Sequence, residues 1–124
     1  MRNRQVPDVA RALFGKQSRL LKAADFQWVF RRAKRLSSPY LTLLYRSQSR
    51  GCPRLGLVIA KKSLKHAVDR NRFKRICREQ FRHHQHQLPT IDVIIISRKA
   101  LKTFDNATLH QQLVALFAQL SVPS

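Results

Sequence analysis

The sequence predicts an α+β domain in which helices pack on a small mixed sheet. Three observations predict it. Two short stretches of strand character, Arg54 to Lys61 and Ile91 to Ser97, flank a long segment of helical periodicity, Ala67 to His84. A second helical stripe, Asn106 to Leu120, follows them. At 124 residues, 44% of them hydrophobic, the chain has the size of one domain around one core.

From Leu21 to Arg32, the apolar residues Leu21, Phe26, Val29 and Phe30 fall largely at helical spacings, which predicts a short first helix. Ser37-Ser38-Pro39 is a turn signal. Tyr40 to Tyr45 reads as a strand, Ser47 to Pro53 as a loop, and the region from Arg35 to Ser49 has room for one further strand. In Arg54 to Lys61, alternation puts Leu55, Leu57 and Ile59 on one face and the smaller Gly56, Val58 and Ala60 on the other. The small face leaves space for something to lie close. Val93-Ile94-Ile95-Ile96 is the β-branched run expected of a central strand covered on both sides. In the last helix Leu109, Leu113, Leu116, Phe117 and Leu120 share a stripe, and Asp105 or Asn106 can cap its start by accepting from the first free N–H groups.

Lys and Arg total 25 against 6 Asp and Glu, a formal charge of +19. So much charge on so small a body attracts polyanions, while the hydrophobic content excludes a disordered basic tail. The expected partner is nucleic acid, met by a defined surface. Cys52 and Cys77 lie 25 positions apart, without the paired spacing of a zinc site, and fit reduced thiols in a cytoplasmic protein. No apolar run approaches the ~18 residues of a membrane span. Arg2, Arg4, Arg11, Lys16 and Arg19 oppose a single acid, Asp8, within residues 1–19. A basic, loosely ordered arm following an RNA backbone suits this better than an organellar transit peptide.

The charge is densest from Lys61 to Arg82, with nine cations in 22 residues against Asp69 and Glu79. At about 100° per residue, Phe73, Ile76, Cys77 and Phe81 share one helix face. Asn71, Lys74, Arg75, Arg78 and Arg82 cluster opposite. Like charges at Lys74/Arg78 and Arg78/Arg82 each destabilise an isolated helix by a few tenths of a kcal/mol. Phosphate oxygens offset that repulsion, since guanidinium groups bind them in a fork. A merely solvated face is the ordinary reading of a charge run; density and single sign favour nucleic acid here.

These residues resemble the ribonuclease P protein family. Its signature is a lysine pair ending a strand, a short linker, and a helix opening Arg-Asn-Arg and continuing Lys-Arg-x-x-Arg. It stands here as Lys61-Lys62, then Arg70-Asn71-Arg72-Phe73-Lys74-Arg75-Ile76-Cys77-Arg78. Asp25 to Phe30, Arg54 to Val58 and Asp92 to Ile96 resemble the family's first helix and two of its strands. Phe73 and Cys77 depart from the pattern, on the face that docks. The resemblance implies a two-layer sandwich of a four-stranded mixed sheet with about three helices, like domain 2 of ribosomal protein S5, containing a left-handed βαβ crossover. It implies one RNA-binding domain over residues 20–121. It also implies a division of labour: a catalytic RNA holds Mg²⁺, and the protein binds that RNA and the single-stranded 5′ leader of precursor transfer RNA. Lys61, Lys62, Arg70, Asn71, Arg72, Lys74, Arg75 and Arg78 are the expected contacts to the catalytic RNA. No further protein partner is implied.

The expected leader contacts are Phe26, Phe30 and Tyr40. Phe26 and Phe30, four apart on the first helix, can offer aromatic faces to a single strand or form an ordinary core pair; the resemblance favours the former. Tyr40, with Thr42 and Leu44, completes the expected cleft. The six acids are scattered along the chain with no close pair in the sequence, which argues against a protein two-metal nuclease centre. His83, His84 and His86, at a helix C-terminus, suit its negative dipole end and solvent better than metal ligation or catalysis. No catalytic residue or bound cofactor is therefore expected in the protein. A ribosomal or nucleoid protein that coats nucleic acid without assisting a reaction is the alternative that shares the charge but not the ordered signature.

Overall fold

A computed structural model describes residues 23–49, 51–60, 63–98, 101 and 104–120. The elements are α1 (Ala23–Arg31), β1 (Lys34–Ser37), β2 (Leu41–Ser47), β3 (Arg54–Ile59), α2 (Ala67–His84), β4 (Ile91–Ser97) and α3 (Asn106–Leu120), with a 3-10 turn at Gln85–Gln87. The strands form one mixed sheet in the order β1-β2-β4-β3. β2 runs antiparallel to both its neighbours, β1 and β4, whereas β3 and β4 are parallel and joined through α2. The β-branched run of β4 is thus central, as its composition predicts. The room for an extra strand is filled by β1, turned into β2 by Ser38, whose Oγ accepts from the N–H groups of Tyr40 and Leu41 at 3.3 and 3.1 Å. Within the β2–β3 loop, Gly51 takes φ +98°, a conformation that glycine adopts without a Cβ clash.

The arrangement has two principal layers, the sheet and the pair α2/α3. Between them lies the main core, where Leu41, Leu43, Leu55, Val93 and Ile95 meet Phe73, Ile76, Cys77 and Phe81 of α2 and Leu109, Leu113, Leu116 and Phe117 of α3. Both thiols are free; burial pushes the Cys77 thiol far above its usual range, so it stays a protonated apolar side chain. α1 crosses the reverse face of the sheet, where Val29 packs on Ile94. Nine residues are too few to hold a helix alone, so α1 depends on that docking.

Candidate nucleic-acid interface

α2 forms because its apolar residues recur every three or four positions, and Phe73, Ile76, Cys77 and Phe81 are buried as the periodicity requires. On the opposite side Asn71 and Arg75 are exposed, while Lys74, Arg78 and Arg82 are half-buried. Lys61 and Lys62 lie outside the described residues. Arg70 and Arg72, both predicted contacts, bind other parts of the protein. Arg70 Nη1 donates to the carbonyls of Leu64 and Lys65, at 3.2 and 2.7 Å, and ties the linker to the first turn of α2.

Arg72 faces α3. Its Nη2 donates to Asp69 Oδ1 and to the Phe104 carbonyl, both at 3.1 Å, and its Nη1 donates to Asn106 Oδ1 at 3.1 Å. The guanidinium also lies 4.1 Å above the Phe104 ring. Arg72 is thus a clamp between α2 and the start of α3, and a helical wheel alone cannot see it. Asp105 caps α3, accepting from the Thr108 N–H at 2.7 Å.

On the reverse face, the rings of Phe26 and Phe30 sit 6.3 Å apart at 41°. Phe26 packs into the cluster around Val29 and Ile94, whereas Phe30 remains 48% exposed. Leu44, Val58 and Ile96 belong to the same cluster, and Thr42 shares their side of the sheet because it pairs with Ile96. This makes an apolar floor beside an aromatic wall. Tyr40 does not join it. It precedes β2, packs against the main core, and lines a separate depression with Leu101, Phe104 and Thr108. The expected grouping of Tyr40 with Phe26 and Phe30 is corrected: strand alternation does not extend past the Ser38 turn.

The acids are less scattered than their spacing implies. Arg54 binds Asp92 through two bonds, Nε to Oδ1 at 2.9 Å and Nη2 to Oδ2 at 2.7 Å, and Asp25 of α1 lies 3.6 Å from the same Nη2. Asp92 is fully buried. Burial alone would lower the Arg54 pKa; the Asp92 bond and the charges of Asp92 and Asp25 overcome it, so the net shift is upward. The signal was available in the strand registry, since Arg54 and Asp92 are direct partners across β3 and β4. α1 is further pinned by Arg46, which lies 3.7 Å over the Trp28 ring and donates to the Trp28 carbonyl.

This pair of carboxylates is opposed by a cation, which suits an ion pair and not a metal. Among the described residues no group of three or more His, Cys, Asp or Glu side chains converges. The histidines near the end of α2 also separate: His84 Nδ1–H donates to the Gln80 carbonyl at 2.9 Å and its ring meets Phe117, whereas His83 and His86 are exposed. No helix among the described residues is long and apolar enough to cross a membrane.

Comparison with known proteins gives one consistent answer. The Ribonuclease P family model matches residues 14–121. The chain is 44% identical over 111 residues to the ribonuclease P protein component of Aliivibrio fischeri, covering 90% of this chain and 95% of that one. The component from Vibrio cholerae is 45% identical over 111 residues, covering 90% and 94%. Among solved structures, the RNase P protein of Staphylococcus aureus matches with TM-score 0.74 at 27% identity, covering 84% of this chain and 97% of that one. The RNase P protein of Thermotoga maritima matches with TM-score 0.73 at 31% identity, covering 85% and 99%. The signature on α2, the four-stranded mixed sheet and these matches agree: the chain belongs to the ribonuclease P protein family, the protein subunits of that endoribonuclease.

Proposed function

We propose that the chain binds the catalytic RNA of ribonuclease P through the outward face of α2, and the 5′ leader of precursor transfer RNA through the cleft between α1 and the sheet. The observation that carries this reading is the two-sided α2: an apolar face fixed in the core and, opposite it, Asn71, Lys74, Arg75 and Arg78 directed together. Lys61 and Lys62 extend the proposed surface by their place in the sequence. Cations in this array neutralise phosphates, release counterions and let substrate and catalyst approach. In this reading the protein positions the RNA, and Mg²⁺ held by the RNA subunit supplies the chemistry, in the cytoplasm.

The leader half rests on the exposed Phe30 beside an apolar floor. Stacking of this kind is worth about 1–3 kcal/mol per base and tolerates any sequence. Arg75→Glu is expected to weaken assembly with the catalytic RNA and to flatten its salt dependence in a filter-binding titration. Unchanged affinity would reject the α2 assignment. Phe30→Ala is expected to lower holoenzyme affinity for precursor but not for leaderless transfer RNA, and an equal loss for both would reject the leader role. In processing assays at limiting Mg²⁺, the chain is expected to raise cleavage only when the catalytic RNA is present.

A further inference from the structure

A second basic surface lies away from α2. Arg31, Arg32, Lys34 and Arg35 are four cations in five consecutive residues, and all four are exposed. Asp25 and Asp92 pair with Arg54, and Asp69 pairs with Arg72, rather than with these four. They follow directly on Phe30, where α1 ends and the outer strand β1 begins.

The registry locates one of them on the cleft side. Arg35 pairs with Leu44, Leu44 with Ile94, and Ile94 with Gly56. Directly paired residues project from the same side of a sheet, so these four form a row across all four strands. Leu44 and Ile94 are in the apolar cluster under α1. The row therefore passes from apolar floor to cation at the open edge of the sheet. An extended single strand has the matching pattern, bases that stack and phosphates that carry charge.

We infer that Arg31, Arg32 and Arg35 form a phosphate-binding ledge that continues the leader cleft past Phe30 and holds the backbone of leader nucleotides beyond those stacked on the aromatic pair. Lys34 pairs with Tyr45 and belongs to the other side of the sheet. The inference rests on the leader reading above. It competes with a simpler role, since charged side chains on an edge strand also prevent pairing with other chains. Edge protection makes no distinction between substrates, and the ledge does.

The test is a titration of the holoenzyme with precursor transfer RNAs bearing leaders of graded length, and with leaderless transfer RNA, over a range of salt. The variant combines Arg31→Gln, Arg32→Gln and Arg35→Gln; Arg35→Gln alone serves as a milder second variant, and the triple Arg→Lys variant retains the charge. The triple Gln variant is expected to lose the affinity gained from the more distant leader nucleotides and to bind leaderless RNA as before. Its salt slope for the long-leader substrate should flatten by about 2, and that of Arg35→Gln by about 0.7, the value per phosphate on a single strand. The Lys variant should restore both. Equal losses with and without a leader would give these cations to another RNA surface, and no loss would leave only edge protection; either result overturns the ledge. Phe30→Ala measured in parallel separates the failures. If it discriminates leader-bearing from leaderless RNA while the arginine variants do not, the ledge falls alone; if it does not discriminate, the cleft reading falls.

Discussion

Arginines three positions apart on α2 serve different ends. Arg75 is exposed, whereas Arg72 spends its donors on Asp69, Asn106 and the Phe104 carbonyl and lies against the Phe104 ring. Hydrogen bonds to a charged group contribute about 1.5–3 kcal/mol. The half-exposed setting of Arg72 reduces that through solvent screening, so Arg72→Ala should destabilise the free protein by about 1–2 kcal/mol. Arg75→Ala should leave urea unfolding unchanged while still weakening RNA binding. Equal stability of the two variants would remove Arg72 from the clamp. The sequence identifies Arg72 as a helix cation but not as a clamp, because two of its partners, the Phe104 carbonyl and Asn106, lie at the start of α3, more than thirty residues on. The buried stripe of Phe73, Ile76, Cys77 and Phe81 was legible, because it depends only on helical spacing and hydrophobicity.

Among elements, legibility followed how local the deciding physics is. α2, β4 and α3 have the bounds their patterns predict, since each carries a full apolar stripe or an unbroken β-branched run. β1 is four residues long with little apolar content, and it exists because β2 offers it a partner; a region could be named for it, but no boundary. The cap of α3 was narrowed to two residues, and the structure divides their work: Asp105 accepts from Thr108, and Asn106 accepts from Arg72. The Thr108 backbone N–H, helped by its side chain and by the charge of Arg72, holds the Asp105 carboxyl below its ordinary value. A carboxylate with a lowered folded pKa contributes stability that is present above its unfolded value, about 3.9, and lost as pH falls through the folded one. Asp105→Asn keeps a capping oxygen that does not titrate. Its thermal midpoint should therefore fall less steeply than wild type as pH drops below about 4. Parallel curves for the two proteins would show that the cap carries no pH dependence.

For the whole molecule, the sequence predicts a charged protein with one core, and the structure adds that its two basic surfaces belong to different sides of one sheet. α2 lies over one face, whereas α1 and Phe30 lie over the other, and Arg31 to Arg35 lead to the sheet edge. Composition gives the total charge but not this division, which follows from the sheet order β1-β2-β4-β3 and the registry. A net charge of +19 also means that the folded chain repels itself in the absence of a polyanion. Added salt screens that repulsion, with a Debye length of about 30 Å at 0.01 M and about 8 Å at 0.15 M. The same salt weakens RNA binding, because counterion release contributes less. The two responses must therefore have opposite signs. Between those ionic strengths, the melting temperature of the free protein should rise while its affinity for the catalytic RNA falls. Calorimetry and filter binding in matched buffers check this, and a melting temperature that falls with salt would mean that attractive pairs such as Arg54–Asp92 outweigh the excess of positive charge.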